Sequence, residues 1–218
     1  MTTIAIVDYG AGNLLSLSRA LEAVGATTIV TADPNLVSTA DAIALPGVGA
    51  AGSAMTALRE RDLLAVLHER HAQGTPIIGI CLGMQLMYDW LTEGDCAGLG
   101  WLPGTVTPLP PTAGYKIPHM GWNRVAWDAA LPPPACAGLD NDFYAYFVHT
   151  YRCEVATPAS ANITLPLLAW TTYNTQLCSL VCADTLWGTQ FHPEKSGAAG
   201  LTLLRNFVAL SRTTGGDA

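Results

Sequence analysis

Pro76-Ile-Ile-Gly-Ile-Cys81-Leu-Gly-Met-Gln-Leu86 is the stretch that decides the fold. Its first half, residues 76–80, is a continuous apolar run rich in β-branched side chains, the pattern of a strand buried on both faces of a parallel sheet. Residues 82–91 follow without an intervening loop and read as a helix. A strand passing straight into a helix holds the junction residue, Cys81, on a sharp turn at the carboxyl edge of the sheet. Glycines at 79 and 83 leave the backbone room for that turn. The N-terminus of a helix favours a thiolate over a thiol. A buried cysteine at an ordinary β–α junction has the same local look, so this stretch alone leaves both readings open.

The same alternation runs upstream. Residues 4–8 form a short apolar strand, and Leu14, Leu17, Leu21 and Val24 then recur at helical spacing between Asn13, a plausible N-cap, and Gly25, a plausible stop. Residues 28–31 and 41–45 read as further strands, and residues 51–58 and 62–73 as helices. This order implies a parallel sheet with helices on both sides. Downstream, residues 101–109, 123–127, 144–155, 167–173 and 176–181 read as shorter, partly antiparallel strands. A last strand covers 185–191 and a closing helix 200–211. The expectation is one α/β domain over residues 1–211, a mixed, mostly parallel central sheet flanked by helices with additional antiparallel strands in the second half. Residues 212–218 read as a disordered tail.

Composition removes several functional classes. The 218 residues carry a net charge of −7, with ten scattered Lys and Arg residues, which argues against a nucleic-acid footprint. No apolar run reaches the roughly 18 residues of a spanning helix, and the start MTTIAIVDYG lacks the basic opening of a signal peptide. Cysteines at 81, 96, 136, 153, 178 and 182 form no C-x-x-C pair and suit neither a zinc site nor a disulfide framework. A cytoplasmic protein with reduced thiols, and with no metal or cofactor, is expected. His68 and His71 lie three apart on a charged helix face and read as solvent-exposed.

Gly188-Thr-Gln-Phe-His192-Pro-Glu194 closes the last strand. A cysteine nucleophile needs an imidazole to accept its proton and later return it to a leaving group. The imidazole needs a carboxylate to fix its tautomer. In a strand His192 and Glu194 share one face, with Pro193 stiffening the link. His119 and His149 suit binding better than base chemistry.

Taken together, Gly-Ile-Cys81-Leu-Gly-Met-Gln85 and Gly188-Thr-Gln-Phe-His192-Pro-Glu194-Lys-Ser resemble the class I, or triad, glutamine amidotransferases, a flavodoxin-like fold. Asp8-Tyr-Gly-Ala-Gly-Asn-Leu14, Lys116-Ile-Pro-His-Met-Gly-Trp-Asn123 and Tyr146-Phe-Val-His-Thr-Tyr151 narrow the resemblance to the glutaminase subunits of imidazole glycerol phosphate synthases. It spans residues 4–207. The chain departs from it around Asn174, which stands where the family often has glycine, in the Pro-rich loop 131–134 and in the alanine-rich segment 135–138.

The resemblance implies that Cys81 attacks the side-chain amide of glutamine, with His192 as general base and acid and Glu194 as its orienter. It implies an oxyanion hole from the backbone N–H groups of Val48 and Leu82. Gln85 and Glu93 would meet the ammonium end of glutamine, with His149, Thr150, Tyr151 and Gly49 lining the rest. It further implies a heterodimer with a separate (β/α)₈-barrel cyclase, docked near Asn13, Trp122, Tyr146 and Lys195. That partner uses the ammonia to form imidazole glycerol phosphate and an aminoimidazole carboxamide ribonucleotide. The Pro46-Gly-Val-Gly49 loop is expected to complete the oxyanion hole only when the cyclase holds its nucleotide. Three other readings stand beside this one: a glutaminase feeding another synthase, a docking subunit without chemistry, and a general cysteine hydrolase. Locally, Glu93 also reads as an exposed helix-end charge and Trp122 as core packing.

Overall fold

The computed structural model describes residues 2–10, 12–156 and 166–214. The first half alternates as expected: β1 (Thr3–Val7), α1 (Leu14–Ala23), β2 (Thr27–Thr31), α2 (Pro34–Thr39), β3 (Ala42–Leu45), α3 (Ala51–Glu60), α4 (Leu63–Ala72), β4 (Ile77–Ile80) and α5 (Leu82–Leu86). Asn13 caps α1 by accepting the Ser16 amide at 3.3 Å, and the helix turns its Leu17, Ala20 and Leu21 inward. The short α2 was not anticipated. Its signal is nevertheless local, because Asp33 accepts the Asn35 amide at 2.9 Å and Pro34 opens the helix.

The second half holds β5 (Tyr88–Leu91), β6 (Cys96–Ala97), β7 (Leu102–Pro108), β8 (His119–Trp127), β9 (Asp142–His149), β10 (Tyr151–Val155), β11 (Leu167–Thr172), β12 (Gln176–Ala183), β13 (Leu186–Thr189) and α6 (Gly197–Thr214). Nine strands form one mixed sheet in the order β2-β1-β3-β4-β13-β12-β11-β8-β9. Its parallel part is β2, β1, β3, β4 and β13, and the remaining pairs are antiparallel. A second sheet has the order β10-β7-β5-β6.

Every residue of β3 and β4 is buried, and the period-2 alternation of a strand sends neighbours to opposite faces. Ile43, Leu45 and Ile77 pack in one cluster with Met55 and Leu58 of α3 and Leu67 of α4. Ala42, Ala44, Ile78 and Ile80 pack in another with Leu17 and Leu21 of α1 and Leu203 and Phe207 of α6. Helices therefore cover both faces, and truncating a side chain such as Ile78 to alanine costs about 2–5 kcal/mol. Among the described residues no helix is long and apolar enough to cross a membrane.

Four expectations are corrected. The helix over residues 82–91 stops at Leu86, and the chain re-enters as β5, because Tyr88, Trp90 and Leu91 pair in parallel with Leu102, Thr105 and Val106 of β7. The single strand over 144–155 is two strands in different sheets: β9 pairs with β8 and β10 with β7, with Thr150 at the pivot. The last strand ends at Thr189, so His192 and Glu194 sit on a turn beyond it, Glu194 within a 3₁₀ segment, Pro193–Lys195. At the C-terminus α6 runs to Thr214, past the expected boundary at 211, and residues 215–218 lie outside the described residues.

Candidate active site

The carboxyl ends of β3, β4 and β13 lie side by side, where open α/β sheets place their ligands. Cys81 sits at the end of β4 with φ +55° and ψ −108°, a conformation that L residues rarely hold without surrounding constraint. The constraint is visible. The Cys81 amide donates to Thr189 O at 2.6 Å. The flanking glycines are pressed together: a Cβ on Gly79 would lie 2.7 Å from the Gly83 backbone, and one on Gly83 only 1.8 Å from Leu45 O. The thiol is buried, 3.8 Å from Val148 O, and receives the Gln190 side-chain amide at 3.7 Å.

His192 Nδ1 and Glu194 Oε1 are 2.8 Å apart, and both side chains are only 3% exposed. A carboxylate accepts, so Nδ1 carries the proton and Nε2 is left for the thiol. Burial alone would lower the His192 pKa. Its contacts with Cys81 and then Glu194 outweigh that and hold it at about 9. The turn is clamped to β9, since His192 N–H donates to Tyr146 O at 2.9 Å. Buried Ser196 donates from Oγ to His192 O at 2.7 Å and accepts the Tyr146 amide at 3.0 Å.

A cavity of about 270 Å³ opens onto Cys81. Its wall brings together Val48, Gly49, Leu82, Gln85, Glu93, His149, Thr150 and Tyr151, all of the residues expected to bind glutamine or line an oxyanion hole, and adds Pro118 and Val148. Glu93 is not at a helix end; it follows β5, is half-buried, and accepts the Ala51 amide at 2.8 Å through Oε2. The Pro46–Gly49 segment is held at its upstream end, where the buried Tyr9 hydroxyl donates to Pro46 O. Its far end is open: Val48 is exposed, and Gly49 takes φ +103° with free space around it.

The four residues expected near a partner lie outside this cavity. Trp122 is 56% exposed and so is not core packing. It stands opposite Tyr146 across β8 and β9, the rings edge-to-face at 6.2 Å, and Lys195 Nζ lies 5.6 Å above the Tyr146 ring. Asn13 is exposed at the start of α1.

Residues 5–210 match the glutamine amidotransferase class-I family. The chain belongs to that family. Among its relatives, a protein of Synechococcus elongatus named imidazole glycerol phosphate synthase subunit HisH is 46% identical over 209 residues, covering 94% of this chain and 92% of that protein. A Bacillus cereus protein of the same name is 42% identical over 205 residues, covering 94% and 93%. The fold also matches PurLQS from Thermotoga maritima, with a TM-score of 0.71 at 16% identity over 95% of this chain and 98% of that one. The glutaminase domain of Trypanosoma brucei CTPS gives 0.65 at 16% identity over 98% and 94%.

In this class-I glutamine amidotransferase, sequence reading passed over three residues at the site. Gln190 is fully buried and bridges Gln85 and Cys81, yet its partners lie over a hundred positions away. Ser196 closes the turn behind His192 and stood in a motif already singled out. Tyr9 holds Pro46 from 37 positions upstream. The signal available for each was its place inside a motif already singled out, since Gln190 and Ser196 lie in the stretch 188–196 and Tyr9 in 8–14.

Proposed function

We propose that this chain is the glutaminase subunit of an imidazole glycerol phosphate synthase, releasing ammonia from glutamine for histidine biosynthesis. The observation that carries this reading is the convergence of Cys81, the His192–Glu194 pair and the Gln85–Glu93 cavity on one sheet edge. Relatives that share 42–46% identity across almost the whole chain carry that synthase's name.

In this reaction Cys81 Sγ bonds to the amide carbon of glutamine, and the carbonyl electrons move onto oxygen. The N–H groups of Leu82 and Val48 receive that oxyanion, a donor each worth about 10²–10³-fold in turnover. His192 Nε2, holding the thiol proton, gives it to the departing amine, and ammonia leaves a thioester. Water then loses a proton to His192 and attacks the thioester, freeing glutamate and restoring the thiol. Glu194 keeps His192 in the required tautomer throughout. The one free carboxylate oxygen of Glu93 faces the substrate ammonium, since the other is taken by Ala51.

Ammonia passes to a separate (β/α)₈-barrel cyclase, docked on the face that carries Trp122, Tyr146, Lys195 and Asn13. The loop at Pro46–Gly49, tethered at Pro46 and open at Val48–Gly49, is the segment that docking and nucleotide binding turn into the oxyanion hole. Glutamate release, measured for the chain alone, with the cyclase, and with cyclase plus nucleotide, tests the reading. Strong release only in the last mixture, lost in Cys81→Ala, is expected; equal release in all three moves the chain to a different synthase.

A further inference from the structure

Antiparallel pairing of β8 with β9 sets His119 directly opposite His149, and both imidazoles are buried. His119 is stacked between Phe147, at 4.7 Å, and Tyr173, at 4.0 Å. Its Nδ1 lies 2.9 Å from His149 Nε2, and His149 Nδ1 lies 2.7 Å from Tyr151 O. Each of these contacts needs one donor and one acceptor, so the protons can be assigned.

The assignment starts at Asn123. Its Oδ1 accepts the Arg124 amide at 2.8 Å, which identifies the other atom as the NH₂ group. That group donates to Thr172 O and to His119 Nε2, both at 3.2 Å. His119 Nε2 is therefore an acceptor and its proton is on Nδ1, which donates to His149 Nε2. His149 must then carry its own proton on Nδ1 and give it to Tyr151 O. The reverse tautomers would keep a hydrogen bond between the rings but would set two donors face to face at Asn123 and two lone pairs face to face at Tyr151. Burial holds both rings neutral, with the His119 pKa at about 4 and that of His149 at about 3, so the pattern is unchanged at working pH.

The chain of bonds continues to the nucleophile. Tyr151 O also accepts Gln85 Nε2 at 3.2 Å, and the second proton of that amide goes to Gln190 Oε1 at 3.0 Å. Gln190 is thereby forced to present its NH₂ to Cys81. Gln85, with both protons spent, is left with its carbonyl oxygen as an acceptor at the cavity wall.

We infer that His119 and Asn123 are positioning residues for glutamine hydrolysis: they hold His149 as the Nδ1–H tautomer, which pins the Tyr151 carbonyl and, through it, the side-chain amides of Gln85 and Gln190 beside Cys81. This rests on the glutaminase reading of the site. Neither residue lines the cavity, so their action is through His149 and not on substrate.

The test compares His119→Phe, which keeps a ring for the stack but removes the donor, with His119→Asn, whose amide nitrogen replaces Nδ1. Imidazole ¹⁵N shifts of the histidine-labelled full chain read the His149 tautomer, and glutamate release by the cyclase complex reads kcat and KM. The Nδ1–H form of His149 is expected in the wild type and in His119→Asn, and a mixture of tautomers in His119→Phe. The phenylalanine variant should lose about 10–10²-fold in kcat/KM, mostly through KM, as a misplaced positioning group does; the asparagine variant should recover most of it. An unchanged tautomer and KM in His119→Phe would overturn the inference, as would equal impairment of both variants with equal thermal stability. A wild-type complex that hydrolyses no glutamine would instead defeat the glutaminase reading, and the tautomer shifts would still decide the hydrogen-bond chain.

Discussion

Glu93 accepts the backbone amide of Ala51 at 2.8 Å, so a carboxylate on the wall of the cavity also caps the helix that follows the Pro46–Gly49 loop. The residue at the α3 N-cap position, Ala50, offers no side-chain acceptor of its own. One side chain thus serves both the helix end and the proposed ammonium site, and two substitutions separate the roles. Glu93→Gln keeps an acceptor for Ala51 and loses the charge, so KM for glutamine should rise at least about tenfold, the loss of roughly 1.5–3 kcal/mol for a charged hydrogen bond, with thermal stability unchanged. Glu93→Ala should show the same KM defect and also lose about 0.5–2 kcal/mol of stability, as uncapped helices do.

The pH dependence follows from His192. Its pKa is raised from 6.5 to about 9, burial opposing and the contacts with Cys81 and Glu194 prevailing. The stability this contributes is fully present below about pH 6.5 and is lost as pH rises through about 9. The His192 proton that the departing amine needs is lost in the same window, so kcat/KM should fall above about pH 9. Glu194→Gln removes one of the raising groups, and the alkaline limb should move to lower pH. A limb that stays in place would mean that Glu194 does not set the imidazole's charge.

Gly83 packs against the end of β3, where an added Cβ would sit 1.8 Å from Leu45 O. Both atoms are backbone or rigidly attached to it, so neither yields without moving the elbow. Gly83→Ala should cost about 3 kcal/mol, the upper part of the range for overpacking, read as a drop in the thermal unfolding midpoint, and should displace Cys81 enough to abolish activity in whatever folded fraction remains.

Trp122 is exposed and edge-to-face with Tyr146, whose ring lies beneath Lys195. Trp122→Ala should leave the unfolding midpoint within about 1–2 °C, a surface-sized change of under about 0.5 kcal/mol. It should weaken binding of the cyclase by about 30-fold or more, as loss of a central aromatic anchor does. Calorimetric titration of the two proteins measures both the affinity and any residual binding.

How much of this was legible in the sequence depends on the range of the deciding interaction. β4 and Cys81 were readable because residues 76–80 carry their burial on every position and the flanking glycines mark the turn. The His192–Glu194 pair was readable because the two residues are two positions apart, although the turn at Pro193–Lys195 and not strand geometry brings them together. The helix expected through Leu91 failed because Tyr88–Leu91 has no periodicity of its own that separates helix from strand, and pairing with β7, more than ten residues later, decides it. The change of sheet at Thr150 left no local mark either; it needs β7 and β8 both in place. Gln190 and His119 act through partners 109 and 30 positions away, distances at which a single sequence says nothing.

The most direct test of the account is the formation of imidazole glycerol phosphate by the complex of this chain with the cyclase and its nucleotide, driven either by glutamine or by an ammonium salt. Cys81→Ala should abolish the glutamine-driven reaction and leave the ammonium-driven one at the wild-type rate, because the substitution removes only the source of ammonia. Glutamine-driven product surviving in Cys81→Ala would contradict the account, since the nucleophile would then lie elsewhere.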